Sequence, residues 1–417
     1  MSVRTAFVTQ WYPPEPVEVP RSIALALTDL DHDVVVATGI PNYPDGVAHA
    51  GHTSWRRSRE TLDGLEVHRY PLFPSHDQSA ARRIVNYLTW AASSTALGWS
   101  VLRRSDVALV YSSPATAALA PALWRRAMRT PYVLIVQDLW PESVLSSGMI
   151  GKGFVSRLAD RILRAFSNWT YRSAAEVVVI SPGMRKVLVE RGVSPEKITL
   201  VYNWTAERQS ADGDRPREAR RELSLPLDGF IVTYAGNVGT AQALDTLVLA
   251  ARHLEDLEVT VVVAGDGVDL SRLQSLVADR GMKNVRFLGR LPAEQMPALR
   301  AASDLQVVSL ADDPLFAVTM PSKVQAILES GSRLLVIGRG DAAHVAEASG
   351  AGWTAPPGDP EAVAAVIRLA TLEPPQAALA REKAAQDYYQ THMSREIGSQ
   401  ALDQLLRRAA AREGSTR

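Results

Sequence analysis

The feature that most constrains the fold is a regular alternation of short apolar runs with segments of helical periodicity. Runs rich in valine and isoleucine, such as residues 34–38, 107–111 and 132–136, are separated by stretches in which apolar residues recur every three or four positions. Strands that are apolar on both faces are typical of parallel sheets covered by helices on both sides. The alternation therefore predicts an α/β protein built on parallel sheets.

The alternation occurs in two halves. Between residues 206 and 221 the sequence turns polar and charged (AERQSADGDRPREARR), which predicts a linker. We expect one doubly wound domain over residues 1–207, a second over 208–385, and a helical tail over 386–417 that returns to the first domain. Two such domains predict a cleft between them, the usual place for a ligand.

Composition narrows the classes of function. The chain has 45 basic and 45 acidic residues, whereas a nucleic-acid-binding protein normally carries a basic surplus, so we expect no nucleic-acid partner. It has no cysteine, which excludes a disulfide scaffold and fits a reducing compartment. The N-terminal residues enter a strand without the apolar region of a signal peptide, which favours a cytoplasmic protein.

No metal or cofactor is expected. The eight histidines show no metal-ligand spacing. The run Asp31-His32-Asp33 imitates a D-x-D metal motif, but it lies between a predicted helix and a strand, where a polar turn is the simpler account.

Two helical segments leave the relation to a membrane open. Residues 84–102 are largely apolar but interrupted by polar residues, so a core helix is favoured over a transmembrane one, while Trp90 and Trp99 also suit a helix on a membrane surface. Residues 154–173 are amphipathic, with a basic face and an aromatic face. Peripheral contact with the inner face of the plasma membrane and an ordinary soluble helix both remain open.

The stretch from Ser309 to Gly338 carries the clearest sign of a ligand site. A strand pattern ends near Leu310, and a helix then opens after a polar loop. The free N–H groups at a helix start, with a lysine in the first turn, favour an anion. The residues of this predicted site are Met320, Pro321, Ser322 and Lys323.

Glycine-rich turns follow three successive strands in the second half. Glycine lets the backbone approach a phosphate closely, and the three turns together with the helix start should meet at one edge of the sheet. We therefore predict a nucleotide site formed by Gly236, Asn237, Gly239, Gln242, Gly265, Asp266, Gly267, Gly289, Arg290 and Leu291 with the helix start.

Motifs along most of the chain resemble the retaining glycosyltransferases of family 4, which have the GT-B fold. They are TQWYPPEP, GIPNYPDG, RRIVNYLTW, VQDLWPES, SPGMRKVL and YNW in the first half, and YAGNVGTAQ, AGDG, FLGRLP and MPSK in the second. The resemblance is strongest to the bacterial branch of colanic-acid and O-antigen L-fucosamine transferases. It implies two Rossmann-like domains, the first for the acceptor and the second for a nucleotide-sugar.

The same resemblance implies the chemistry. A sugar, of amino or deoxy type, would move from a donor such as a UDP-sugar to an acceptor hydroxyl with retention and without a metal. The acceptor would be a sugar in cell-surface polysaccharide or glycolipid synthesis, and it could be lipid-linked.

Several family positions differ in this chain. The usual arginine and lysine after the first strand of the second domain are replaced by Asn237 and Gln242, so Lys323 becomes the expected cation, with Arg290 and Arg21 behind it. The usual E-x7-E pair would fall at Val318 and Ala326, and Glu329 lies one helical turn later. This departure leaves the ribose contact without an expected residue.

In the first domain, the usual histidine is replaced by Asp138, which we predict to be catalytic together with Lys323. Glu15, Arg21, Asp138 and Glu142 are the predicted acceptor-binding residues. For Asp138 a simple turn cap is the structural alternative. For Glu142 the alternative is an acid in the first turn of a helix.

Two other functions remain open. A nucleotide-sugar epimerase can have the same architecture, but it needs acid and base side chains beside the sugar. A nucleotide-sugar-binding protein that has lost catalysis would fit the missing glutamates. Release of nucleotide only in the presence of an acceptor would distinguish the transferase from both.

Overall fold

The computed structural model describes residues 2–75, 79–146, 154–205 and 216–414. The chain divides into two compact units, one formed by residues 1–206 with 395–417 and the other by residues 207–394. Each unit is an α/β layered structure around its own sheet, and the predicted fold class of two doubly wound parallel sheets is confirmed.

The first unit is built on an eight-stranded sheet in which every pairing is parallel except that of its outermost strand. Its interior strand Tyr132–Val136 is buried at every residue, because helices cover both faces. In chain order the strands are Val3–Val8 (β1), His32–Gly39 (β2), Ser58–Leu62 (β3), Leu65–Tyr70 (β4), Val107–Ser112 (β5), Tyr132–Val136 (β6), Glu176–Val179 (β7) and Ile198–Leu200 (β8). In the sheet they lie in the order β3-β4-β2-β1-β5-β6-β7-β8.

The helices of the first unit begin where the sequence supplies a suitable start. Ser181 caps one of them by accepting a hydrogen bond from the Met184 N–H, with Pro182 in the first turn. The helices are Glu18–Asp29 (α1), Ala80–Leu97 (α2), Trp99–Arg103 (α3), Leu119–Met128 (α4), Glu142–Ser146 (α5), Phe154–Ser173 (α6) and Pro182–Glu190 (α7). Short 3-10 turns lie at Ala115–Ala118 and Pro195–Lys197.

The second unit has a six-stranded sheet with every pairing parallel. Its strands are Phe230–Ala235 (β9), Val259–Ala264 (β10), Val285–Gly289 (β11), Leu305–Ser309 (β12), Leu334–Ile337 (β13) and Gly352–Ala355 (β14), arranged as β11-β10-β9-β12-β13-β14. Its helices are Pro216–Glu222 (α8), Asp245–Arg252 (α9), Leu270–Asp279 (α10), Met296–Ala302 (α11), Pro314–Ala317 (α12), Ser322–Glu329 (α13), Asp341–Ala348 (α14), Pro360–Thr371 (α15) and Pro375–His392 (α16), with 3-10 turns at Thr240–Gln242 and Ala293–Gln295. Buried aliphatic residues such as Val261, Leu247 and Ile367 join the sheet to α9 and α15.

The predicted linker at 206–221 is only partly described. Residues 206–215 lie outside the described residues, and from Pro216 the chain is already helix α8 of the second unit. Arg220 of this helix is buried, pairs with Asp304 at 2.6 Å, and donates to the carbonyl of Ala302. The charged composition that suggested a linker thus includes a helix whose arginine is bonded within the fold.

The tail is two helices rather than one. The first, α16, packs against α13 of the second unit, and the unit boundary falls at residue 395 rather than 386. The second helix, Arg395–Gly414 (α17), packs against α1, β5 and β6 of the first unit. Buried His32 lies 2.9 Å from the Thr5 hydroxyl and 2.7 Å from Asp403 of α17. The D-x-D run is therefore a turn and a strand start whose histidine holds the last helix.

In a doubly wound sheet, ligands bind outside the carboxyl ends of the strands where the strand order reverses. In the first sheet this point lies between β1 and β5, and in the second between β9 and β12. The turns after these strands begin at Thr9, Ser113, Gly236 and Leu310. Both switch points coincide with motifs that the sequence indicates.

Candidate active site

The three glycine turns of the second unit lie side by side. The N–H of Gly236 donates to the Ala264 carbonyl at 2.8 Å, and the N–H of Gly265 donates to the Gly289 carbonyl at 2.7 Å. These bonds continue the pairing of the sheet beyond the ends of β9, β10 and β11. We call Gly236, Gly265 and Gly289 the glycine edge.

Glycine is favoured at two of these positions by a positive φ, and at Gly265 also by close backbone approach. Gly265 has a φ of +148°, and a Cβ there would lie 1.8 Å from the carbonyl oxygen of Gly236. Gly236 has a φ of +135°, and a Cβ there would lie 2.5 Å from Nζ of Lys323. A side chain at either position would collide with the turn or with the lysine. The glycine edge thus leaves room for the lysine amine directly over the backbone.

Lys323 is held in this position by the strand beneath it. It belongs to the first turn of α13, and its Nζ donates to the Tyr234 hydroxyl at 2.6 Å while lying 4.0 Å from the centre of the ring. The Tyr234 hydroxyl in turn donates to the Asn237 carbonyl at 2.6 Å. Burial lowers the pKa of Lys323 to about 8 and raises that of Tyr234. A cation is therefore preorganised between the helix start and the glycine edge.

The two amides that replace the usual cations are joined to each other. The Gln242 side-chain oxygen accepts from the Gly239 N–H at 3.2 Å and from the Asn237 side-chain amide at 3.1 Å. Because that oxygen faces the turn, the Gln242 NH₂ group is left to donate to a ligand. Asn237 is exposed. The pair offers hydrogen bonds without positive charge.

The other predicted donor-site residues differ in accessibility. Met320 is buried and belongs to the support of the helix start. Leu291 is half-buried and packs against the apolar cluster around Leu299. The remaining residues that end the turns are exposed or half-buried: Asp266, Gly267, Arg290, Pro321 and Ser322.

The positions of the missing E-x7-E pair contain no substitute acid. Val318 ends α12, and Ala326 lies in the middle of α13. Glu329 is the last residue of α13. Burial lowers the pKa of Arg300, and the charge of Glu329 opposes part of that fall. Glu329 is thus engaged at the far end of the helix from Lys323.

Asp138 lies beyond the carboxyl end of β6, at a turn of the first unit. Its Oδ2 accepts a hydrogen bond from the Ser113 hydroxyl at 3.0 Å, in the neighbouring turn after β5. Burial raises the pKa of the carboxyl, and the Ser113 bond opposes that rise. The bond to a neighbouring turn differs from the local backbone contact of a turn cap. Asp138 is therefore a partly accessible acid with a raised pKa.

A row of aromatic rings lies beside Asp138. The ring centres of Tyr43 and Trp11 are 6.1 Å apart, those of Trp11 and Tyr87 6.2 Å, and those of Tyr87 and Trp140 6.4 Å. The Asp138 charge contributes to a raised pKa of Tyr87, after the larger effect of burial. Aromatic walls with a few polar groups are typical of small-molecule sites.

Glu15 has its oxygens occupied within the fold. It is 2% exposed, and it accepts hydrogen bonds from the N–H groups of Tyr12 at 3.1 Å, Asn42 at 2.9 Å and Tyr43 at 2.9 Å. Burial raises the pKa of the Glu15 carboxyl, and these three bonds oppose the rise. Glu15 thus joins two loops and positions Tyr43, and an acceptor contact would compete with these three bonds.

Arg21 and Glu142 also have partners within the first unit. Arg21 makes two hydrogen bonds to Asp63, at 2.7 and 3.1 Å, and holds the pKa of that carboxyl below its usual range. Glu142 opens α5 and pairs with Arg164 at 3.2 Å and with Arg191. An acceptor contact by Arg21 or Glu142 would compete with these ion pairs.

Three contributing residues are not predicted from the sequence. Tyr234 resembles any apolar strand residue, and its contact with Lys323 joins positions far apart in the chain. Ser113 has a usable signal, because it follows β5 at the same sheet edge as Asp138. Arg83 lies near Tyr87, on whose pKa the Asp138 charge also acts.

Comparison with known proteins finds a family match for each half of the chain. The family described as "Glycosyl transferase 4-like domain" matches residues 16–204, and "Glycosyl transferases group 1" matches residues 216–387. WcaI of Escherichia coli (strain K12), named as a colanic acid biosynthesis glycosyl transferase, is 28% identical over 365 residues, which cover 85% of this chain and 88% of WcaI. WbjE of Pseudomonas aeruginosa, named as a glycosyltransferase, is 27% identical over 269 residues, covering 64% of this chain and 66% of WbjE.

A solved structure shows the same fold. Anabaena HepE in complex with UDP superimposes with a TM-score of 0.69 over 97% of this chain and 99% of its own, at 16% identity. The two family matches together span both units described above, each on its own parallel sheet. The chain therefore has the GT-B fold, and each of its two units matches a glycosyltransferase domain family.

Proposed function

We propose that this protein transfers a sugar from a UDP-linked donor to an acceptor hydroxyl, with retention of configuration and without a metal. The observation that carries the proposal is the Lys323 amine, held directly over Gly236 at the start of α13. A diphosphate needs a compensating cation in a partly buried site, because an unpaired charge there is costly. The structure of Anabaena HepE contains UDP, which supports this choice of nucleotide.

The bond changes are those of a glycosyl transfer. The bond between the anomeric carbon and the diphosphate oxygen breaks, a bond to the acceptor oxygen forms, and the hydroxyl proton leaves to the departing phosphate. Negative charge grows on the diphosphate as its bond breaks, and the N–H groups at the start of α13 together with Lys323 stabilise that charge. In the first unit, Asp138 accepts a hydrogen bond from the acceptor hydroxyl and orients it.

The relatives and the surface support the proposed substrate classes. The name of WcaI supports a role in polysaccharide synthesis, and the motif resemblance supports an amino or deoxy sugar. No helix in the described ranges is long and apolar enough to cross a bilayer. Exposed Leu158, Ile162 and Trp169 on α6 support a peripheral contact with the inner face of the membrane and a lipid-linked acceptor. Trp90, in contrast, is fully buried.

A panel of nucleotide-sugars tests the proposal. The protein is incubated with UDP-, GDP- and dTDP-sugars, with and without an acceptor extract, and released nucleotide and anomeric configuration are measured by NMR. Release of UDP only with acceptor, giving a product of unchanged configuration, is the expected result. Conversion of the donor sugar without acceptor would indicate an epimerase, and binding without turnover would indicate a lapsed enzyme.

A further inference from the structure

Two apolar helical stripes of the first unit face each other across an open groove. On α2 the stripe contains Ile84, Leu88 and Ala91, and on α6 it contains Ala159, Ile162 and Phe166. Residues three and four apart share one face of a helix, and such faces normally pack against each other. Here they border a cavity of about 590 Å³ instead.

The described residues that line the groove are apolar or aromatic apart from Thr116. Its floor includes Trp140 and Val144, which form a buried cluster with Ala115. At its rim Leu88 is 55% exposed and Ile162 is 58% exposed. Large apolar side chains that border one open groove mark a site for an apolar partner, because covering them removes hydrocarbon surface from water.

A cation directly precedes the groove residue Ile84 in the sequence. Arg83 is one helical turn before Tyr87 and is half-buried. Among the residues that the structure describes, its buried Nε has no hydrogen-bond partner. Burial raises the pKa of Tyr87, the Arg83 charge lowers it, and the Asp138 charge raises it. Tyr87 lines the groove, so an arginine, an apolar channel and the Asp138 carboxyl meet around one ring.

We propose that this groove binds the hydrocarbon chain of an amphiphilic acceptor whose phosphate lies at Arg83 and whose hydroxyl reaches Asp138. The charges fit this class of molecule, since a cation and an acid both lie near the Tyr87 ring that borders the apolar channel. The inference rests on the proposed function, and it deepens it by giving the acceptor an anionic head and a location for its chain.

Binding of alkyl phosphates to the full chain tests the groove. Isothermal titration is run with dodecyl phosphate, hexyl phosphate, inorganic phosphate and neutral dodecyl maltoside, each below its micelle concentration. Because burial of methylene groups is favourable, dodecyl phosphate should bind at least tenfold more tightly than hexyl phosphate. Equal affinity for the two chain lengths, or equal binding of inorganic phosphate, would show a phosphate site alone and overturn the proposal.

Matched variants distinguish binding of the hydrocarbon chain from binding of the phosphate, and both from a loss of folding. Ala159→Phe fills the groove and should weaken dodecyl phosphate at least tenfold, whereas Ala165→Phe, at an exposed position of the same helix, should leave it unchanged. Arg83→Gln should weaken dodecyl phosphate but not dodecyl maltoside. If both phenylalanine variants act alike, the groove is not the site.

Titration of the same variants with UDP distinguishes this inference from the proposed function. Normal UDP binding with chain-independent alkyl phosphate binding would overturn only the groove. Failure of the wild-type protein to bind UDP would overturn the proposed function. The groove would still be tested by the difference in affinity between dodecyl phosphate and hexyl phosphate. Far-ultraviolet circular dichroism and thermal unfolding show whether each variant is folded.

Discussion

The Nζ atom of Lys323 lies 2.6 Å from the hydroxyl oxygen of Tyr234 and 4.0 Å from the centre of its ring. The lysine comes from a helix start and the tyrosine from a strand, so their contact joins the two parts of the predicted nucleotide site. The ring and the hydroxyl both favour the charged amine, while burial opposes the charge. The contact therefore fixes the position of a cation with which a bound diphosphate would pair.

Removal of that cation should impair both binding and chemistry. Lys323→Ala should lower UDP-sugar affinity and should lower turnover further, because charge grows on the leaving phosphate. The loss of transition-state stabilisation should be about 3 kcal/mol, a typical value for one preorganised donor. Titration with UDP beside single-turnover kinetics separates the two losses. Arg290→Ala, at an exposed position, should cost less, and an unchanged Lys323 variant would refute this location of the diphosphate.

The affinity for UDP should depend on pH through the same lysine. Its pKa in the unliganded protein is lowered by burial to about 8, so the amine is charged below that pH and loses its proton above it. A bound diphosphate favours the charged form, so affinity should hold below that pKa and fall as the pH rises through it. Lys323→Gln should bind weakly without this fall.

Tyr234→Phe provides a finer test of how the lysine is held. It keeps the ring beneath the amine and removes the hydroxyl that accepts its hydrogen bond. We expect a loss of about 1 kcal/mol in kcat/KM, the usual net value of one hydrogen bond. A pH profile of UDP affinity should shift with it, whereas a merely structural tyrosine would change thermal stability and leave the profile unaltered.

Asp138→Asn should separate acceptor chemistry from donor binding. If the carboxylate orients the acceptor hydroxyl, turnover should fall strongly while UDP affinity is retained. Because burial raises the pKa of Asp138, wild-type turnover should decrease as the pH falls through that raised value. The measurement is kcat against pH for both proteins. A fully active variant that has lost about 1 kcal/mol of stability would show a turn cap instead.

Glu15→Gln should affect stability. One amide oxygen can still accept from the N–H groups of Asn42 and Tyr43, but the new NH₂ group would face the Tyr12 N–H. Leaving a buried donor unpaired should lower the free energy of unfolding by about 1–3 kcal/mol. Urea denaturation measures it, and UDP titration is the control, since unchanged UDP affinity is expected. Full stability would show that the three bonds contribute little.

The parts of the fold that could be predicted are those with a periodic apolar signal. The strand at 132–136 contains no charged residue because both of its faces are buried, and the apolar pattern predicts its bounds correctly. The edge strand Ser58–Leu62 is not predicted, since it is half exposed and reads SRETL, and neither is Gly352–Ala355. The break at residues 393–394 also escapes prediction, because two residues do not interrupt a helical pattern.

In the site, local signals succeed where long-range contacts do not. Lys323 could be found because a proline and the first helical turn surround it in the sequence. The role of Glu15 depends on N–H groups of a loop that follows another strand, so no local pattern reports it. Tyr234 and Arg83 gain their importance only from partners that the fold brings near them.

The order of synthesis separates the last helix from the unit to which it belongs. The unit that the ribosome makes first lacks α17 until the whole second unit has been made, because α17 packs on α1, β5 and β6. Until then the surface that receives α17 is uncovered, and His32 lacks its partner Asp403. Contacts of such long sequence separation form late and slowly. The second unit can thus complete its fold before the first, although its residues are translated later.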